Sequence, residues 1–293
     1  EVSLRTLTNN VSPEKNEQGF NRNREMVYGV PDEQVPLFAL PDAETRETSA
    51  YVNDEIENAV RFVPQAVNFE RFEDYKTFLV ANLPYNSELT RRRRANYILA
   101  RYFPHEQLHT PLTYYASQCR TEEDLKPVLF YHTLRAEPLA SKVAEELIWP
   151  ALPQGQVDRE QIRELILHYL PDLGASSQKN AIRSILTTYD LLSVGQRVAD
   201  VLYFQNRQGS LPALVYIISA EYPKAGIYTL DSLENGPARR WLLWDRNWIR
   251  EQLYALQQWD VVAKVSEIDT IRQFTLRFDQ AAALSMFFSG AQH

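Results

Sequence analysis

From residue 69 onward, apolar side chains recur every three or four positions. Phe69, Phe72, Tyr75, Phe78, Leu79 and Leu83 make the first such stripe, the period of a helix with one covered face, and Pro84 stops it. A second helix is expected from Asn86 or Ser87, both good N-caps, to Phe103 ahead of Pro104. A third segment covers 112–118. A fourth starts at Thr121, with Glu122, Glu123 and Asp124 placed where the helix dipole favours negative charge. Further helices read at about 138–149, 158–170 and 176–192, divided by turn signals at 150–155 and 171–174. These lengths and short connections suit a helical bundle, and a β-ribbon over 198–204 follows it.

The C-terminal third has a different rhythm. A helix over 211–222, with Leu214, Tyr216, Ile217 and Ile218 apolar, ends at Pro223 and Gly226. A short helix near 230–233 or 238–244 comes next, then one over 246–258 that turns Trp248, Ile249, Leu253 and Leu256 inward. Two β-rich runs, 261–265 and 271–278, flank a turn at 266–270 and read as a hairpin, and a last helix covers 280–288. Three helices followed by a hairpin is the order of a winged helix. The expected architecture is therefore mainly α. A bundle-like, helix-turn-helix-like domain over 69–208 precedes a C-terminal winged-helix domain over 209–293 with its small β-hairpin. Residues 1–68, rich in Asp, Glu and Pro and periodic only over 50–62, read as an acidic, partly ordered arm.

The formal charge of −7 speaks at first against a nucleic-acid partner. Its distribution weakens that objection, because residues 1–68 carry 12 acidic and 6 basic side chains and the rest of the chain is close to neutral. Local basic patches remain available for double-stranded DNA. No window approaches 18 uncharged apolar residues, and the opening EVSLRTLTNN lacks the basic-then-apolar order of a secretory signal. The expectation is a soluble, cytoplasmic protein without a membrane partner. Cys119, the single cysteine, has no partner thiol for a disulfide or zinc site and reads as a buried structural residue.

Arg91, Arg92, Arg93 and Arg94 spread over more than one turn of the second helix, so all four cannot face a core. They read either as a salt-bridged solvated face or as phosphate contacts, which Tyr97, Arg101 and Tyr102 would extend as a basic, aromatic surface. The start of the 176–192 helix offers Ser177, Lys179, Asn180 and Arg183, small polar and basic residues of the kind a groove-reading helix presents. In the C-terminal module, Arg239, Arg240, Arg246 and Arg250 surround the third helix and Lys264, Arg272 and Arg277 lie on the hairpin, nearly balanced by neighbouring acids. Trp241, Trp244 and Trp248 fall at helical spacing and read as core.

Catalytic signals are weak. His105-Glu106-Gln107-Leu108-His109 matches the zinc protease string H-E-x-x-H, but Pro104 and Pro111 leave barely more than one helical turn for it. No phosphate-binding loop, dinucleotide fingerprint or nucleophile elbow occurs, and the D-x-K spacings at Asp74 and Asp124 sit in helical patterns. No enzymatic activity and no cofactor are expected.

The stretches NSELTRRRRANYILARYF (86–103), DLKPVLFYHTLRAEPLASKVAEELIW (124–149) and SSQKNAIRSILTTYDLLS (176–193) resemble the BrxA family of BREX phage-defence systems, over roughly residues 70–195. The resemblance implies a helical, DNA-binding accessory protein without its own enzymatic activity, working beside other defence-system proteins. An interaction scaffold built on the C-terminal module and the acidic arm is the alternative, and a zinc hydrolase at HEQLH a remote third.

Overall fold

Helices dominate residues 55–268 and 271–290, the parts of the chain that the computed structural model describes, and two small antiparallel sheets accompany them. Helix α1 (Ile56–Phe62) runs into a 3-10 turn (Val63–Asn68), and both bury apolar residues at a spacing of three or four: Ile56, Ala59, Phe62, Val63 and Ala66. Residues 55–68, which the sequence assigns to the arm, are thus part of the core. The remainder of the arm, 1–54, lies outside the described residues.

Local capping places the next helices. Ser87 accepts from the Thr90 amide at the start of α3 (Glu88–Tyr102), after α2 (Phe72–Asn82). Thr110 caps α4 (Pro111–Gln118), and Thr121 accepts from the Asp124 amide at 3.3 Å to start α5 (Glu122–Ala136). Leu125, Val128, Leu129, Phe130, Tyr131, Thr133 and Leu134 of α5 are all buried, so this helix is covered on most of its circumference and forms the central post of the molecule. Helices α1 and α3 pack against it.

Two units of similar element order follow, the second with one extra short helix. In the first, α6 (Pro138–Val143) continues as a π turn (Ala144–Ile148), then come β1 (Gln156–Asp158), α7 (Arg159–Tyr169), α8 (Ala175–Leu191), β2 (Gln196–Val198) and β3 (Val201–Tyr203). Asp158 and Gln161 form a reciprocal capping box at the start of α7. The last strand is central, with Val157 and Arg197 both opposite Leu202, giving the order β1-β3-β2. In the second, α9 (Leu211–Glu221) leads to β4 (Gly226–Thr229), α10 (Leu230–Glu234), α11 (Pro237–Arg240), α12 (Arg246–Gln258), β5 (Val262–Ile268) and β6 (Ile271–Leu276). Again the last strand is central: Tyr228 and Val265 both oppose Phe274, in the order β4-β6-β5. The turn expected over 266–270 is tighter than the sequence suggests, because Ser266, Glu267 and Ile268 pair with Gln273, Arg272 and Ile271.

Hydrogen bonds tie the second unit to the segment after β3, to the first unit and to α5. Arg207 donates its amide to Leu243 O at 2.9 Å and accepts from the Asp245 amide at 2.7 Å, and the Trp244 ring lies over Gly209. Trp241 Nε1 donates to Glu145 Oε1 at 2.9 Å, His132 Nε2 meets the Tyr216 hydroxyl at 2.7 Å, and Tyr131 donates to Glu221. Helix α13 (Gln280–Gly290) returns across α9 and α4, where Phe288 meets Tyr115. No described helix is long and apolar enough to cross a membrane.

Candidate nucleic-acid interface

Helix α8 is built as a two-faced rod. Ala181, Ile182, Ser184, Ile185, Leu186, Thr188 and Tyr189 are buried, whereas Ser176, Lys179, Asn180 and Arg183 are exposed, with Thr187 half-buried in line with them. Ser176, Asn180, Arg183 and Thr187 succeed one another at helical spacing and therefore share one face, with Lys179 on its rim. Ser177, the serine expected in this role, instead sits on the Ala181–Ser184 side and is half-buried, so Ser176 takes its place. The helix carries no carboxylate until Asp190. Lys179, Asn180 and Arg183 make no side-chain hydrogen bond or ion pair with the described residues.

The hairpin β2–β3 adds a cation that the sequence reading missed. Arg197 donates through one guanidinium nitrogen to Thr187 Oγ1 at 3.0 Å and through Nε to Ala199 O at 2.9 Å, while its amide is held by Asp190 Oδ1 at 3.1 Å. Its guanidinium thus lies beside the exposed face of α8, fixed by neutral acceptors that leave its charge in place. The turn after α8, where the Val194 and Gly195 amides bond Tyr189 O, brings residue 197 back beside residue 187.

The corresponding helix of the second unit is committed inwardly. Arg246 pairs with Glu234 at 2.6 Å, Arg250 pairs with Glu267, and Arg272 pairs with Glu234 and, at 2.7 Å, with Asp231. Glu234 is almost wholly covered, and burial alone would raise its carboxyl. The hydrogen bonds from Arg272 and Arg246 overcome that effect and hold it below the usual carboxylate range. Three arginines expected to face a ligand are therefore neutralised by three carboxylates of their own unit. Arg277 pairs with Asp260 at 3.3 Å, and Lys264 is exposed without an ion pair among the described residues.

The arginine run of α3 is likewise divided. Arg91 bonds the carbonyls of Val80 (2.7 Å), Tyr85 (2.6 Å) and Asn86 (3.2 Å), clasping the turn between α2 and α3. Arg92 pairs with Glu88 at 2.6 Å, and Arg94 lies 3.6 Å from Glu55 and over the Tyr85 ring. Arg93 alone of the four is exposed. Arg101 is buried, bonded to Glu137 at 2.7 Å and stacked on Tyr97, so the basic, aromatic surface expected around it is interior packing.

The H-E-x-x-H string does not form an α-helix, only a distorted 3-10 turn at Pro104–Glu106. His105 (φ 62°) and Glu106 (φ 58°) adopt left-handed backbone, which removes the helical spacing needed to aim both imidazoles at one metal, and His109 stands near Glu70 at 3.7 Å. Among the described residues, no group of three or more His, Cys, Asp or Glu is placed to hold a metal ion. Cys119, expected to be buried, is only partly so, and that burial pushes its thiol up to about 12, against the hydrogen bond with Tyr115. Comparison with known family models, curated proteins and solved structures returns no match for this chain.

Proposed function

We propose that the chain is a non-enzymatic DNA-binding protein made of two winged-helix units, in which α8 enters the major groove and the β2–β3 hairpin is the wing. The reading is supported by the element order of both units, helix, strand, helices and hairpin with the last strand central, with two helices before the hairpin in the first unit and three in the second. The observation that carries it is the contrast between α8 and the rest of the surface. Lys179, Asn180 and Arg183 keep their donors uncommitted, whereas Arg246, Arg250 and Arg272 are spent on carboxylates of their own unit. With 17 residues α8 is about 25 Å long, enough to lie along a groove roughly 12 Å wide.

In this reading the second unit supports the first and offers a neutral surface to protein partners. A place beside other defence-system proteins comes from the sequence resemblance alone. The direct test is binding of the full chain to a duplex of about 30 base pairs across a salt series. Affinity should fall steeply with salt, each neutralised phosphate adding about −0.9 to the slope of log K against log salt. Absence of binding at low salt would remove the proposal.

A further inference from the structure

Resting on that reading, we infer that α8 reads bases as well as phosphates, with Asn180 the adenine-reading residue and Arg183 the guanine-reading residue of one recognition site. The two side chains are exposed, lie on the same face, and have no acceptor or donor partner among the described residues. Their chemistry differs from a phosphate contact. An Asn amide offers one donor and one acceptor side by side, which matches N7 and the N6 amine of adenine, and a guanidinium fork matches O6 and N7 of guanine.

Placement separates these two from the positioning residues. Lys179 sits on the rim of the face and Arg197 is pinned beside Thr187 by neutral acceptors, so both cations flank the Asn180–Arg183 line as phosphate contacts would. Three residues of helix rise about 4.5 Å, against about 3.4 Å per base pair along one strand, so Asn180 and Arg183 address pairs one or two steps apart. The expected target holds an adenine and a guanine within that distance. Thr187 is half-buried and accepts from Arg197, so it presents less of itself on this face than Asn180 or Arg183.

The test is selection from a random duplex library with the full chain, repeated with Asn180→Ala, Arg183→Ala and Lys179→Ala. All three sites are exposed, and circular dichroism checks that each variant folds. The wild type should enrich duplexes with A and G one or two steps apart. Asn180→Ala should flatten the preference at the adenine only and Arg183→Ala at the guanine only, each by roughly ten- to hundredfold in discrimination. Lys179→Ala should weaken all duplexes alike. Salt-dependent binding with no base preference, or a preference untouched by Asn180→Ala and Arg183→Ala, would overturn base reading while leaving DNA binding intact. Failure to bind any duplex would overturn both.

Discussion

At the residue scale, partners decide what a charge does. Arg101 and Arg183 are both arginines on basic helices, yet one is buried against Glu137 and the other meets solvent. Arg101→Ala should cost roughly 3–5 kcal/mol of stability in urea unfolding, because it strands Glu137, whose side chain is only 18% exposed, without its partner, and should leave the salt dependence of DNA binding unchanged. His132 supplies a pH dependence. Burial first, and the charge of Arg135 second, lower its imidazole to about 3, while the unfolded chain titrates near 6.5. The unfolded state therefore takes up a proton that the native state refuses. The stability this site contributes is complete above about pH 6.5 and is lost as pH falls toward 3. His132→Gln should flatten the loss measured by denaturation between pH 7 and pH 5, and an unchanged pH profile would show that His132 is not its source. Which arginines are spent could not be read from the sequence. Arg272 finds Glu234, 38 residues away, and Arg101 finds Glu137, 36 residues away, through tertiary structure alone.

At the element scale, long periodic segments were legible and short ones were not. The 246–258 helix agrees with its sequence reading because Asp245 caps it through the Asn247 and Trp248 amides and a continuous apolar stripe lines one side. The exposed face of α8 was legible in part, since Lys179, Asn180 and Arg183 stand among small polar residues at the helix start, but Ser177 turns inward and Ser176 is exposed in its place. Strand β1 was missed: three residues, Gln156–Asp158, are too few for alternation to register, and their pairing with β3 is non-local. The β6–α10–α12 contact is held by Glu234, which accepts from both Arg246 and Arg272. Glu234→Gln should cost about 1.5–3 kcal/mol by urea unfolding, the scale of hydrogen bonds to charged groups. A neutral result would mean that water replaces the carboxylate there without loss.

At the scale of the whole molecule, the two units are locked to a common post, α5, and to each other. A Cβ on Gly209 would stand 2.3 Å from Trp244 Cε2, on a ring that is fully buried at the junction. Gly209→Ala should therefore cost roughly 1–3 kcal/mol or more and lower the melting temperature, and a variant as stable as the wild type would show that the junction can open without penalty. The central claim is that the first unit meets DNA through α8 while the second does not. Measuring the salt dependence of duplex binding for two variants that each remove two positive charges, Lys179→Ala with Arg183→Ala and Lys264→Ala with Arg277→Ala, tests it most directly. The α8 pair should weaken binding and flatten the slope by about one unit, the roughly 0.9 of the Lys179 phosphate contact, with the second-unit pair close to wild type. Equal losses from both pairs, or a loss confined to the second, would contradict it.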